Sequence, residues 1–429
     1  MHLLRKSLNI VLKQGFKALF IHMNIWLKRK KFIQYLVQKE WTQASVLGEK
    51  LVNLIPERIE NYLYLALCYK NLRKNELATS TLFQGLRYIT NPEILIKVIE
   101  DKFPAMEVIQ SKYIYMGGEQ NLGCFEHTLT NNGEIRKYLT KITTQSSIEL
   151  ERAFYLKIYK HFKNVRFITP KIINISERKT ENLALLTMEK VDGIVPNLNG
   201  KILKEAINAS KLINTVYYCE IIDLIPQPDF NKEFQLINKN YPNHPIFALY
   251  SFISIHKKQT NQRLFQLIYK RMRELKYTAK TYELIKKLEM LVFDWELYNQ
   301  INPIVDYTLQ HGDFDSHNMI WNVQMEKLYI IDWGNMYVGP KWIDLAGLFG
   351  QLKLPFHEID KLFLNIEDET TKINPIEKIF FLYPLIVTWI IVFTRNELEE
   401  NLDYYLRPAI EEFESLTLKV NNVRFVLHG

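Results

Sequence analysis

The sequence predicts an α+β protein: first a helical repeat module, then a small lobe of antiparallel sheet, then a larger lobe built mainly of helices. Three observations carry that expectation. Residues of matching type recur 34 positions apart within the first hundred residues. After Pro104 the pattern changes to period-two alternation, interrupted by an Asn-Asn-Gly turn at 131–133. Helical spacing returns beyond residue 197 and leads into an uncharged run, "IFFLYPLIVTWIIVF", at 379–393.

The chain begins with a charge asymmetry. Nine of the 55 Lys and Arg residues and none of the 47 acidic ones fall in residues 1–39, so the net charge of +8 belongs to this end. Within residues 1–27, Leu4, Leu8, Val11, Leu12, Phe16, Leu19, Phe20, Met23 and Trp26 recur at helical spacing, while Lys6, Lys13 and Lys17 share another face. Such a basic amphipathic helix fits two roles. It can cap the next domain, the preferred reading, or lie peripherally on an anionic membrane at its inner face. No basic groove pattern follows it, which argues against nucleic acid as a partner. The stretch Ala18–Leu27 contains His22 and Asn24 and no cleavage site follows, so a signal peptide is not expected. Cys68, Cys124 and Cys219 lie far apart without metal-ligand spacing, which fits a reducing cytoplasm.

Residues 28–100 carry the repeat. Tyr35 and Tyr69, Ala44 and Ala78, and Val52 and Leu86 are matched pairs, and Tyr62, Leu65, Ala66, Tyr69 and Ala78 resemble the tetratricopeptide signature. The first copy is degenerate, with Lys28 and Lys31 where apolar residues are expected. Two repeats cannot bury a stack alone, so caps are needed on both sides. The repeats also offer a surface for a protein partner.

Residues 105–192 read as the sheet lobe: strands in "KYIYMGGEQNLGCFEHTLT" and "GEIRKYLTKIT", a helix in "ELERAFYLKIYKHF", and a buried strand in "ENLALLTMEKVDG". Residues 193–429 form the larger lobe, mostly helical from 197 to 304. Its uncharged run is interrupted by Pro384 and reaches only about 22 Å as a helix, short of a roughly 30 Å hydrocarbon core, so it is expected to be a buried helix.

The chemistry concentrates in "HGDFDSHNMIW", residues 311–321. Met319–Trp321 read as one strand of a hairpin and Leu328–Ile331 as its return, ending in "DWG". Asn318 and Asp332 are then neighbours at the open end, and Asp313 lies on the loop entering it. Three oxygen-bearing side chains converge, a donor set that suits Mg²⁺.

"HGDFDSHN" followed by "IIDWG" resembles the catalytic loop and metal-binding segment of the aminoglycoside phosphotransferase and choline kinase family, relatives of the protein kinases, over about residues 105–420. The resemblance implies a bilobal protein-kinase-like fold. It also implies ATP- and Mg²⁺-dependent phosphorylation of a hydroxyl on a small molecule: a sugar, an amino alcohol or an aminoglycoside-like acceptor. By it, Asp313 accepts the hydroxyl proton, His311 braces the loop, Asn318 and Asp332 hold Mg²⁺, and Asp344 anchors the loop. Asp315 and His317 receive no role. Gly312 stands where protein kinases usually carry Arg, which points away from a protein substrate.

In the small lobe, Lys141 resembles the strand lysine that meets phosphates, and Glu151 the helix glutamate that holds it. Alternation alone does not separate Lys141 from Lys137; Ile142 and the distance to Glu151 favour Lys141. Met188, Glu189 and Val191 would form the hinge that meets adenine, and Gly118 of "GGEQNLG" would offer its N–H to phosphate. A reading from another class is a scaffold, with repeats that bind a partner and a kinase fold that binds nucleotide without turnover. The intact Asp313, Asn318 and Asp332 favour the enzyme. The acceptor-selecting helices of 197–304 leave its identity open, with a leaning to metabolic or envelope-precursor chemistry.

Overall fold

The computed structural model describes residues 21, 23–87, 94–114, 121–131, 133–162, 169–178, 183–225, 252–364, 366 and 373–428. Most of the N-terminal amphipathic pattern, with Lys6, Lys13 and Lys17, lies outside the described residues, as do Gly117 and Gly118. The chain divides into two compact units, Met1–Ile148 with Pro170–Lys190, and Glu149–Thr169 with Val191–Gly429.

The first unit opens with helix α1 (23–37), which runs without a break across position 27. It buries Phe32 in a cluster with Ala44, Leu51 and Cys68, with Tyr35 and Leu36 packed alongside. Met23, Trp26 and Leu27 are about half exposed, because at 100° per residue they fall on the face opposite Phe32. Helices α2 (Trp41–Leu54), α3 (Ile59–Asn71) and α4 (Asn75–Leu86) follow. The matched Ala44 and Ala78 are fully buried. α4 meets α3 at Gly85, where an added Cβ would stand 2.6 Å from the Tyr62 side chain.

The sheet that follows has the order β1-β2-β3-β5-β4, with every neighbouring pair antiparallel. Its strands are β1 (Glu107–Tyr113), β2 (Asn121–Asn131), β3 (Glu134–Thr144), β4 (Ile172–Arg178) and β5 (Leu183–Glu189). The hairpin β2–β3 turns at Asn131 and Glu134, at the expected Asn-Asn-Gly. Alternation puts Tyr113, Phe125, Ile142 and Leu185 on one face, and these join Tyr62, Leu65, Leu82 and Leu86 in a single core. A stack of helices too short to bury itself is closed by the face of a sheet.

That face also buries polar groups. His127 bonds Ser111 Oγ through Nδ1 at 2.7 Å and Thr140 Oγ1 through Nε2 at 3.0 Å, and Thr140 continues to Thr187 Oγ1 at 3.0 Å. The chain of contacts runs through β1, β2, β3 and β5. The other face carries Cys124, Lys141 and Leu186 in register. Glu126 lies on that same face, buried, with Lys112 Nζ at 2.8 Å and Lys190 Nζ as its second partner.

The second unit begins within helix α5 (Gln145–Ala153), which continues as a π-helical turn at Phe154–Ile158. Helices α6 (Gly200–Ile213), α7 (Lys258–Leu275) and α8 (Ala279–Asp294) precede the short strands β6 (Tyr307–Gln310), β7 (Met319–Asn322), β8 (Lys327–Ile330) and β9 (Tyr337–Pro340). Helices α9 (Ile343–Leu352), α10 (Pro375–Val392) and α11 (Leu406–His428) follow. Among the described residues α10 is the one helix long and apolar enough to cross a membrane. Ile379 through Ile390 are all buried in this unit's core, as expected for a core helix. The mixed α+β architecture is the one the sequence predicts.

Candidate active site

The segment 311–318 leaves a strand whose four residues are all buried, β6, and must turn at once. Gly312 makes that turn with φ +85°. An added Cβ would stand 2.0 Å from the carbonyl oxygen of Asn335, so backbone occupies the space where any side chain would go. The Arg that protein kinases place there does not fit.

Asp344, near the start of α9, holds the turn in place. Its carboxylate accepts the backbone N–H groups of His311, at Oδ2, and of Gly312, at Oδ1 and 3.2 Å. Burial pushes its pKa up to about 7, against these two bonds, which favour the anion. His311 is buried, and both ring nitrogens are engaged: Nε2–H donates to the Ile331 carbonyl at 2.9 Å, and Nδ1 accepts the Asp313 N–H at 3.3 Å. This is the neutral tautomer, and burial keeps its pKa below the usual imidazole value. His311 therefore ties the Asp313 loop to the residue preceding Asp332.

The hairpin β7–β8 pairs Met319 with Ile330 and Trp321 with Leu328. One further rung, Ile331 N–H to the Asn318 carbonyl at 3.0 Å, puts Asn318 beside the approach to Asp332. The Asn318 amide nitrogen donates to the Asp313 carbonyl at 2.8 Å and to its Oδ2 at 2.9 Å. Asp313 is exposed at the surface. Lost hydration and then the neighbouring Asp315 charge raise its pKa, and the Asn318 bond opposes them. Asp315 Oδ1 accepts the His317 N–H at 2.7 Å, and His317 itself is exposed, so this pair shapes the loop.

Asp332 has left-handed backbone, φ +61°, and is followed by Trp333, which is fully buried. The indole lies face to face on Phe154, centroids 3.5 Å apart and planes 8° from parallel, and 4.6 Å from the His311 ring. Phe154 starts the π-helical turn, a local widening of the helix often found at functional positions. Glu151 is buried one turn earlier. A Cβ on Gly334 would stand 3.4 Å from Asp332 Oδ1 and 3.8 Å from Glu151 Cγ, so Glu151 flanks the Asp-Trp-Gly segment.

His311, Asp313, Asn318, Asp332 and Glu151 thus come together in the second unit. Lys141, Met188 and Glu189 lie in the sheet of the first, and Val191 begins the following stretch of the second. Lys141 is half-buried on the sheet face away from the helices, whereas Lys137, on the same face, is exposed near the hairpin turn. The Glu189 and Lys190 amides already donate to the carbonyls of Lys171, at 2.9 Å, and Lys137, at 3.0 Å.

Sequence reasoning missed the support beneath the loop. Asn214, the residue after α6, is fully buried, and its Oδ1 accepts from Thr308 Oγ1 (3.0 Å), Gln310 Nε2 (3.2 Å) and the Trp342 N–H (2.8 Å). Gln310 Oε1 in turn accepts the Asp344 N–H at 3.4 Å. One amide thereby links α6, β6 and the residue that holds the Asp313 loop. Glu126 and its two lysines were also missed; their only sequence signal is a charge on an alternating strand.

Among known structures the chain is similar to a spectinomycin phosphotransferase solved with ADP and spectinomycin (16% identity, 75% of this chain and 93% of that one, TM-score 0.41). It is also similar to a choline kinase from Streptococcus pneumoniae (16%, 75% and 99%, 0.35) and to macrolide 2′-phosphotransferase type I (13%, 77% and 96%, 0.42). No curated protein matches the chain. The model of the phosphotransferase enzyme family matches residues 127–358, just over half of the chain and all of the loop and hairpin described above. The chain is a member of the phosphotransferase enzyme family.

Proposed function

We propose that the protein transfers the γ-phosphoryl group of ATP to a hydroxyl of a small molecule, a sugar, an amino alcohol or an aminoglycoside-like acceptor, with Mg²⁺. The observation that carries this reading is the pair of bonds from Asn318 to Asp313. They commit the Asn318 amide nitrogen, leaving its oxygen as the donor atom beside Asp332. They also engage only one oxygen of the Asp313 carboxylate, so the other is open to a hydroxyl proton. Phosphoryl transfer needs positioning and charge neutralisation more than covalent help.

In this reading Asp313 orients the acceptor hydroxyl and takes its proton, a role that suits a carboxylate whose pKa lost hydration and the Asp315 charge raise above its usual value. Asn318 and Asp332 fit Mg²⁺: an amide oxygen and a carboxylate are hard donors, and the ion needs only one or two protein carboxylates when phosphate oxygens and water complete its shell. When bound, the ion supplies neutralisation of phosphate charge. His311 and Asp344 keep the Asp313 loop against the hairpin, and the Trp333–Phe154 stack fixes the backbone after Asp332. Lys141 is the residue of the first unit assigned to phosphate, and Glu151, in the second, flanks the Asp-Trp-Gly segment; Gly118, the candidate for a backbone N–H to phosphate, lies outside the described residues. Met188 and Glu189 lead into the hinge. Because the Glu189 and Lys190 amides are already committed, an N–H contact to adenine falls to Val191.

The test is phosphorylation by purified protein, with ATP and Mg²⁺, across a panel of sugars, amino alcohols and aminoglycosides. One acceptor should give saturable turnover, and Asp332→Ala should raise the Mg²⁺ concentration needed for it. Turnover that ignores Mg²⁺ in both proteins would remove Asp332 from the metal site, and no turnover on any class would remove the acceptor assignment.

A further inference from the structure

Helix α1 has two apolar faces, and among the described residues only one is packed. Phe32, Tyr35 and Leu36 pack into the first helical cluster. At 100° per residue, Met23, Trp26, Leu27, Ile33 and Val37 gather on the opposite side, with exposures from 40% at Ile33 to 77% at Val37. Lys30 stands in the middle of this second face, its Nζ 5.6 Å from the centre of the Trp26 ring. Lys31 and Lys39 are exposed nearby.

Three kinds of occupant can cover an outward apolar stripe. A second copy suits the spacing, because positions 23, 26, 30, 33 and 37 follow the alternating three and four of a coiled-coil seam. Charge rules it out: residues 1–39 hold nine Lys and Arg and no acid, so two copies would set like charges together around a seam containing Lys30. A nucleic acid would answer the charge, but its phosphates give Trp26, Leu27, Ile33 and Val37 nothing apolar to enter. An anionic lipid surface answers both. Apolar side chains enter the boundary between headgroups and acyl chains, Trp prefers that depth, and long lysines keep their ammonium groups among the headgroups. We propose that the outward face of α1 docks the protein on an anionic membrane.

The test is cosedimentation of the full chain with vesicles of phosphatidylcholine alone or mixed with phosphatidylglycerol. Binding should require phosphatidylglycerol and fall in high salt, as the screening length shrinks from about 10 Å at 0.1 M to about 3 Å at 1 M. Lys30→Gln with Lys31→Gln should weaken binding roughly thirtyfold, two charges' worth at the membrane surface. Trp26→Ser with Leu27→Ser should weaken it by about tenfold or more. Both pairs should keep the melting temperature of the parent, because these side chains are exposed. Equal binding to both vesicles, undiminished binding by the variants, or lipid-free self-association that Trp26→Ser abolishes would each overturn the proposal.

Discussion

Both compact units bury a chain of polar side chains, and the two chains are built differently. In the first unit Ser111, His127, Thr140 and Thr187 are joined end to end, each contributing one or two bonds, on the sheet face that packs against helices. In the second unit Asn214 is a hub: one oxygen accepts three donors, and the Gln310 that it holds continues to Asp344 and so to the loop of Asp313. A linear chain loses one link when an end member is removed and two when an interior one is. A hub strands several donors at once, and a buried donor without a partner costs about 1–3 kcal/mol. The hub also lies beneath the loop of Asp313, whereas the linear chain lies where the sheet packs against helices.

The largest effect should come from the end of the hub's chain. Asp313→Asn keeps the shape and the Asn318 contact but removes the proton acceptor, so turnover should drop by roughly two to four orders of magnitude with ATP binding nearly intact. Single-turnover rates alongside nucleotide binding check it; unchanged turnover would separate the hub from catalysis.

Next comes the hub itself. Asn214→Leu fills similar space but strands the Thr308 hydroxyl proton and the Trp342 N–H, while Gln310 Nε2 keeps only Thr308, at 2.9 Å from its Oγ1, so unfolding free energy should fall by about 3 kcal/mol or more. Turnover of the folded fraction should fall too, because Gln310 no longer steadies Asp344. A loss of stability with unchanged turnover would show that the hub supports packing alone.

The linear chain should answer to pH. Burial, partly opposed by the Glu126 charge, pushes His127 down to about 4. Between pH 6.5 and 4 the unfolded state then binds a proton that the folded state does not. Stability is fully present above pH 6.5 and declines as pH falls, by about 3 kcal/mol at pH 4 from this residue. His256 in the second unit is also pushed down to about 4 and adds to the decline of the parent protein. His127→Gln isolates one contribution: its melting temperature should fall less between pH 6.5 and 4. Identical pH profiles would show that His127 is protonated without penalty.

The loop and the hub also differ in how far apart in sequence their partners lie. Asp313, Asn318 and Asp332 sit within one loop and one hairpin, so residue type and spacing alone placed them, as did the Asn-Asn-Gly turn for β2 and β3. Asn214 meets Gln310 and Trp342 across 96 and 128 positions, and nothing near Asn214 marks it. Glu126 and Lys190 are 64 apart. β4, with the sequence "IINISER", has weak alternation and shows itself only by pairing with β5. Lys141 and Lys137 share a face by alternation, and the structure adds a difference of depth to the sequence neighbours that separate them: Lys141 is half-buried and Lys137 exposed. The two faces of α1 are a subtler case. The periodicity of its apolar residues was visible, but which stripe meets the repeats depends on where Phe32 finds Ala44, Leu51 and Cys68.

The smallest expected effect lies at the end of the linear chain. Thr187 is fully buried, and its hydroxyl meets Thr140 Oγ1 at 3.0 Å. Thr140 keeps its bond to His127 whichever residue stands at 187. Thr187→Val is close in volume and β-branched, so it suits a strand, and it removes one end link without stranding a donor that has no other partner. The cost should be about 1 kcal/mol, read as a small shift in the denaturation midpoint with an unchanged slope. If the chain behaves as a linear series, Thr187→Val and His127→Gln together should cost nearly the sum of the two, because Thr140 stands between them. A double variant well short of that sum would mean that the three hydroxyls and the imidazole polarise one another, and the first unit's network would then be as cooperative as the hub in the second.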